Sequence, residues 1–178
     1  MRKPRIRERR CPSLSSVDFT IEQRLAGAPA AVQELLLDPE FVSARSKLPK
    51  LGDAELLECT RDDTTARLRV RLRFTAELSS AVTAVIDPKK LTWVDDARFD
   101  LAALHADHTI EPDNYADRLA STYRSVLEPD GAGTRRVLTG MVKVRMMLVG
   151  GKVESAIVSG LREYAVPEAE LLNTWLTR

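Results

Sequence analysis

The residue types most able to carry chemistry are the two histidines, His105 and His108, in the segment "LHADHTIEP". Asp107 lies between them, and three such side chains close together suggest a metal site. On a β-strand, however, residues three positions apart point to opposite faces of the sheet, so the two imidazoles cannot share one ion. No third ligand recurs at a useful spacing. We therefore predict neither a metal nor any other cofactor.

Acid–base chemistry at His108 is a second hypothesis. If alternate residues of each strand face inward, Asp95 and Tyr123 lie on the same side of the sheet as His108. A His108–Asp95 or His108–Tyr123 pair could then act in an aldol or dehydration step. The simpler interpretation is that His108 and Tyr123 satisfy each other, a backbone group or water, while Asp95 lies at a strand end in solvent. Both interpretations stay open, and no catalytic residue is assigned.

Composition favours an ordinary soluble domain. Cys11 and Cys59 have no neighbouring histidine, no G-x-S-x-G elbow occurs, and two cysteines are too few for a disulfide framework. The 178-residue chain has no apolar run near the ~18 residues of a spanning helix. It also lacks the apolar segment of a secretory signal. A reduced, cytoplasmic protein is the expectation.

The pattern of apolar residues predicts the elements that position these side chains. Strict alternation from Val17 predicts a half-buried strand, and Pro29 suits the first turn of a short helix that follows it. A second short helix is predicted over "EFVSARSKL". Six more strands follow between residues 54 and 148, and "PDGAG" predicts the hairpin turn between the last two.

Two helical segments complete this order. A short amphipathic helix able to act as a flap is predicted after Phe74, with its N-cap at Ser79 and its end at Pro88. Its apolar residues are Leu78, Val82, Val85 and Ile86. A long helix follows Gly150, and Pro167 should kink it into two arms. Segregated helices and an antiparallel meander indicate an α+β fold, in which a curled seven-stranded sheet offers its concave face to the long helix.

This order, together with "TGMVKVRMMLVGGKVESAIVSGLRE" at the last strand and helix, resembles the helix-grip (START-like, SRPBCC) superfamily. That superfamily includes START lipid-transfer domains, plant pollen-allergen and hormone-binding proteins, and bacterial polyketide cyclase/dehydrase-like proteins. "LVGGKVE" before a helix ending in "TWL" is similar to a bacterial branch of it. The resemblance covers roughly residues 15–178, as a single domain. It implies an elongated apolar cavity between sheet and helix.

The partner that this resemblance implies is a hydrophobic small molecule of lipid, sterol or polyketide type. A minority of such proteins act on their ligands, so a cyclase or dehydratase activity is the alternative function. With alternate strand residues facing the cavity, His108 and Tyr123 would bind a polar head group and the other residues an apolar body. The candidate ligand-binding residues are Leu72, Phe74, Trp93, His108, Tyr123, Ser125, Val144, Met146, Ile157, Leu161 and Tyr164.

Basic residues form the remaining pattern. "RLRVRLRF" (67–74) alternates four arginines with apolar residues. This pattern fits either a row of phosphate-binding side chains or the solvent-facing side of a strand. The first ten residues carry six basic side chains and one acidic one, so the rest of the chain is mildly acidic despite a net charge of +1. An arm over residues 1–14 is predicted to be disordered. An acidic body makes a nucleic-acid partner unexpected, and homodimerisation stays open.

Overall fold

The computed structural model describes residues 16–75, 80–84, 86–147 and 149–178, and one antiparallel sheet runs through them. The strands are β1 (Val17–Leu25), β2 (Leu51–Arg61), β3 (Thr65–Phe74), β4 (Thr92–Asp100), β5 (His105–Pro112), β6 (Leu119–Asp130) and β7 (Gly133–Val144). The helices are α1 (Pro29–Leu37), α2 (Pro39–Ala44), α3 (Ser80–Thr83) and α4 (Gly150–Leu176), with short 3-10 turns at Arg45–Lys47 and Pro88–Lys90. The predicted α+β architecture is confirmed.

The register of the sheet decides which side chains share a face. The strand order is β1-β7-β6-β5-β4-β3-β2, and directly opposite residues of antiparallel strands point the same way. Tyr123 lies opposite both Gly140 on β7 and His108 on β5. Asp95 lies opposite Ile110, two residues from His108, so it points the same way. We call this face, which α4 covers, the inner face.

The predicted turn between the last two strands agrees with the structure, and the bounds of β2 and β7 differ from the prediction. The hairpin turn between β6 and β7 contains Gly131 at φ 61°, a left-handed conformation that glycine adopts without strain. β2 begins three residues earlier than expected and has two register shifts, which explains its mixed apolar pattern. β7 ends at Val144, where a tight turn bonds the Met146 amide to the Val144 carbonyl. Met146 therefore follows the strand instead of lying on it.

The helical predictions have mixed outcomes. α4 is continuous from Gly150 to Leu176 with Pro167 inside it, not divided into two arms. The flap helix is described only as the four residues of α3, because residues 76–79 and 85 lie outside the described part of the chain. The predicted N-terminal arm lies outside it as well. Among the described helices, none has both the length and the apolar character needed to cross a bilayer.

The apolar core consists of two clusters, one toward the β2–β4 side of the sheet and one toward its β1–β7 edge. Cluster 1 joins α1, α2, the middle strands and the C-terminal half of α4, and cluster 2 joins β1, β7 and the N-terminal half of α4. Cluster 1 includes Val32, Phe41, Val42, Leu68, Val70, Leu72, Phe99 and Leu172. Cluster 2 includes Phe19, Ile21, Val142, Val144, Val153 and Val158. α4 thus contributes to both clusters, and polar side chains lie on the sheet between them.

Candidate functional site

A belt of polar side chains crosses the inner face between the two clusters. On β1, for example, Gln23 lies between Ile21 of cluster 2 and Leu25 of cluster 1. The middle strands continue the row, while α4 and the 3-10 turn after α2 supply its other side. The members of this polar belt are Gln23, Arg45, Asp95, His108, Tyr123, Ser125, Arg136, Tyr164 and Glu168. Such buried polar groups need partners, and the belt contains two hydrogen-bonded groups.

Asp95 is the centre of the first group. Its Oδ1 lies 2.9 Å from Nδ1 of His108, and its Oδ2 accepts a hydrogen bond of 2.8 Å from the Tyr123 hydroxyl. The rings of His108 and Tyr123 stack with their centroids 4.0 Å apart and their planes 14° from parallel. Asp95 and His108 are only 6% and 7% exposed. The carboxylate therefore fixes the position of both rings.

The charges of this group follow from its surroundings. Burial acts to raise the pKa of Asp95, but its contact with His108, the hydrogen bond from Tyr123 and the charge of Arg45 together lower it below its ordinary value of 3.8. Burial, with the adjacent Asp95 charge, raises the pKa of Tyr123 well above its ordinary 10.0. At neutral pH Asp95 is therefore an ionised acceptor, and Tyr123 is a neutral donor.

One nitrogen of this group has no partner. An ionised carboxylate only accepts hydrogen bonds, so the proton between Asp95 and His108 lies on Nδ1. In the neutral ring Nε2 then carries a lone pair. Nε2 of His108 is buried, and no described residue bonds to it. Among the buried side-chain atoms without a partner in the described residues, it is the one on the inner face of the sheet.

The second group is a buried ion network around Glu168 of α4. Its Oε2 accepts from Arg136 Nη1 and from Gln23 Nε2, each at 3.1 Å, and its Oε1 lies 3.4 Å from Arg45 Nη2. The Tyr164 hydroxyl accepts from Arg45 Nε at 3.0 Å. Burial acts to raise the pKa of Glu168, but Arg136 and Arg45 lower it below its ordinary 4.5. Burial raises the pKa of Tyr164 to about 12.

Apolar side chains along the inner face stay half-buried although α4 lies across the sheet. Phe74 and Leu138 show this on the strands, and Ile157 and Leu161 show it on the helix. A methyl group added at Gly160 would have Phe74 Cε2 as its nearest neighbour, at 3.7 Å. These apolar side chains are therefore not fully enclosed between sheet and helix.

The predicted site residues are distributed along this inner face. Leu72 and Val144 are buried in the apolar clusters, and Met146 lies in the loop after β7. Ser125 accepts a hydrogen bond of 3.2 Å from Arg136 Nε, and Tyr164 bonds to Arg45. Phe74, Trp93, Ile157 and Leu161 are half-buried, and His108 and Tyr123 form the first polar group.

The simpler interpretation of Asp95, a strand-end residue in solvent, is wrong. Asp95 lies in the middle of β4 and is buried, because β5 brings His108 and β6 brings Tyr123 to its two oxygens. His108 and Tyr123 contact each other by ring stacking, but they do not satisfy each other's hydrogen bonds. Their hydrogen bonds go to Asp95 instead.

Four belt residues were missed by the sequence analysis. Gln23 and Arg136 have the same strand parity as the predicted inward residues, a signal that was present but not used. Glu168 follows Tyr164 by one helical turn, so it also has a recognisable position on the inner side of α4. Arg45 comes from the turn after α2, and nothing in its local sequence indicates that it is buried.

Metal and phosphate chemistry receive no support from the described residues. They contain no group of three His, Cys, Asp or Glu side chains that could hold an ion. The outward arginines of β3 are engaged by carboxylates on the opposite face from the belt. The pairs are Arg67–Asp96 (2.7 Å), Arg69–Glu111 (2.8 Å), Arg71–Glu55 (3.2 Å), Arg71–Asp113 (3.3 Å) and Arg73–Asp53.

Comparison with solved structures confirms the predicted helix-grip fold. TTHA0849 from Thermus thermophilus is 19% identical with a TM-score of 0.65, over 90% of this chain and 97% of that chain. The Zhui aromatase/cyclase from a Streptomyces species is 17% identical with a TM-score of 0.52, over 92% of each chain. Norcoclaurine synthase from Thalictrum flavum, in complex with dopamine and hydroxybenzaldehyde, is 12% identical with a TM-score of 0.59, over 92% of this chain and 88% of that chain. At these identities the likeness shows the fold alone.

The model of a family described as "Protein of unknown function (DUF2505)" matches residues 20–176. A search of the curated proteins finds no match.

Proposed function

The chain belongs to the DUF2505 family, whose description assigns no activity, so from the site itself we propose that the protein binds a hydrophobic small molecule. The ligand, of lipid, sterol or polyketide type, lies between the inner face of the sheet and α4. Residues 15–178 form the single ligand-binding domain. The candidate residues His108, Trp93, Phe74, Ile157 and Leu161 contact the ligand. Binding, and not turnover, is the primary function.

One observation carries this proposal. Nε2 of His108, a buried polar atom without a partner among the described residues, lies on the inner face of the sheet, which also carries half-buried apolar side chains. An apolar space with a few convergent polar groups is the usual form of a small-molecule site. Norcoclaurine synthase, which shares the fold, is in complex with two small aromatic compounds. That neighbour supports the capacity of this fold to hold small molecules, while its chemistry belongs to its own sequence.

Binding is expected to stabilise the protein. A ligand present at about 100 times its dissociation constant should raise the free energy of unfolding by ~2.7 kcal/mol. Thermal unfolding with a panel of fatty acids, sterols and aromatic polyketides measures this, and native mass spectrometry of the freshly purified protein detects a co-purified apolar species. If no panel member shifts the melting temperature and no such species is found, the proposal fails.

Gly160 allows the position of the ligand to be tested. Gly160→Leu places a branched side chain in the space beside Phe74, so ligand affinity should fall tenfold or more while the helix keeps its structure. The matched control is Ser159→Leu, the neighbouring exposed position, which adds a similar side chain on the solvent side of α4. Equal affinities in the two variants would place the ligand elsewhere.

A second candidate function is favoured by the Asp95–His108 contact. A carboxylate that holds Nδ1 leaves Nε2 free to take a proton, as in a general base. A cyclase or dehydratase acting on the bound ligand would need such a base. Asp95 would orient His108 and stabilise the imidazolium formed, and Tyr123 would hold Asp95 in place.

The general-base function can be tested with 5-nitrobenzisoxazole, an apolar reporter. Loss of its ring C–H proton to a base breaks the N–O bond and forms a nitrile and a coloured phenolate. The wild type should convert it about 10²-fold faster than His108→Asn, which keeps a donor to Asp95 but has no atom at the Nε2 position. Thr122→Ala, on the opposite face of β6, is the control. Equal rates in the wild type and in His108→Asn would exclude the general-base function.

A further inference from the structure

We propose that the ligand bound at this site is an uncharged molecule with a hydroxyl group that donates a hydrogen bond to Nε2 of His108. This inference rests on the proposed binding function and narrows its ligand class. It favours alcohols and phenols, such as sterol-like or phenolic compounds, over fatty-acid anions. Three features of the polar belt carry it.

The first feature is the direction of the missing hydrogen bond. Asp95 takes the proton on Nδ1, so Nε2 of neutral His108 can only accept. A proton on Nε2 as well would create a buried cationic N–H that has no acceptor among the described residues. Leaving a charged donor unsatisfied is more costly than leaving a neutral acceptor unsatisfied. The ligand atom facing Nε2 is therefore a donor.

The second feature is that the polar belt residues beside His108, namely Asp95, Tyr123 and Ser125, already have hydrogen-bond partners. The Tyr123 hydroxyl donates to Asp95, and both oxygens of Asp95 have partners. Ser125 accepts from Arg136. Among Asp95, Tyr123, Ser125 and His108, the buried atom without a hydrogen-bond partner in the described residues is Nε2 of His108. One ligand donor at that position completes the group.

The third feature is the charge balance of the belt. Arg45 and Arg136 both contact Glu168, and Asp95 is ionised. The two cationic and two anionic side chains compensate each other. A carboxylate ligand would add a third negative charge, and each described arginine of the belt already contacts Glu168. An anion in this space would lose its hydration without gaining a counter-ion.

The test compares three matched naphthalenes on the wild type. 2-Naphthol has the donor, 2-methoxynaphthalene has the same oxygen without its proton, and 2-naphthoate is the anion. At pH 7, 2-naphthol should bind about tenfold more tightly than either of the others, the difference one net hydrogen bond makes. Dissociation constants come from fluorescence titration, with calorimetry as a second measurement.

The His108→Asn variant assigns that preference to Nε2. Its amide can still donate to Asp95, but the acceptor at the Nε2 position is gone, so 2-naphthol should lose its tenfold advantage while 2-methoxynaphthalene binds as before. Thr122→Ala should keep the wild-type preference. Retention of the preference in a folded His108→Asn variant would overturn the inference. If that variant does not fold, the wild-type comparison decides alone.

The possible outcomes separate this inference from the proposed function. Equal binding of 2-naphthol and 2-methoxynaphthalene by the wild type overturns the hydroxyl donor and leaves a hydrophobic site intact. Tightest binding of 2-naphthoate also overturns it, because His108 would then act as a protonated anion-binding group. If none of the three compounds binds and the lipid and sterol panel also fails, the binding function itself is rejected.

Discussion

Replacing Glu168 by glutamine is expected to lower the free energy of unfolding by about 3–5 kcal/mol, the usual result of removing one partner from a buried ion pair. Glu168 is 4% exposed and compensates Arg45 and Arg136 together. Glutamine has nearly the same shape and keeps one acceptor, so the loss arises mainly from two buried guanidinium groups without a counter-ion. Urea denaturation followed by tryptophan fluorescence measures the change.

The pH dependence identifies the cause of that loss. The folded-state pKa of Glu168 is lowered, so its stabilisation is complete above the ordinary value of 4.5 and disappears as the pH falls through the lowered pKa. Glutamine does not titrate. The difference in unfolding free energy between wild type and Glu168→Gln should be constant near neutral pH and shrink below about pH 4.

Glu170→Gln is the matched control, since Glu170 lies on the same helix but is exposed. Its effect should stay within about 0.5 kcal/mol. A loss as small as this for Glu168→Gln, or a difference from wild type that does not change in acid, would mean that the ion network does not hold α4 against the sheet.

The fold could be predicted from sequence because its strongest signal is local. Alternation along a strand depends only on the pleat, so the sequences of β3 and β6 by themselves show which of their side chains face inward. β2 was harder, because each of its bulges adds a residue and changes which side chains face inward. The position of a bulge depends on pairing with β3, and the β2 segment does not contain that information.

The candidate site could be predicted only in part. His108 and Tyr123 were recognised because polar residues at inward positions are unusual. Arg136 was at an inward position too, but arginine is mostly exposed, and that general tendency masked the signal. Asp95 and Glu168 acquire their partners from segments distant in the chain, which the sheet register and the packing of α4 bring together. Such contacts are properties of the tertiary structure.

Leu72→Arg is the second substitution with a large expected effect, and it tests the assignment of the two faces of β3. Leu72 is 4% exposed in cluster 1, opposite Trp93 on β4. An arginine there would bury a charge, and the carboxylates of the polar belt, Asp95 and Glu168, already have partners. We expect a loss of several kcal/mol, a large share of the roughly 5–15 kcal/mol of a typical domain.

The neighbouring position provides the control on the same strand. Arg71 points to the outer face, where it lies 3.2 Å from Glu55 and 3.3 Å from Asp113. Exposed pairs of this kind contribute little, so Arg71→Gln should change the free energy of unfolding by less than about 1 kcal/mol. The two variants need the same denaturation measurement, with circular dichroism to detect a Leu72→Arg protein that is already unfolded. If Arg71→Gln greatly lowered the free energy of unfolding while Leu72→Arg was tolerated, the assignment of the two faces of β3 would be reversed. The fold would then depend on the arginines and not on the apolar residues.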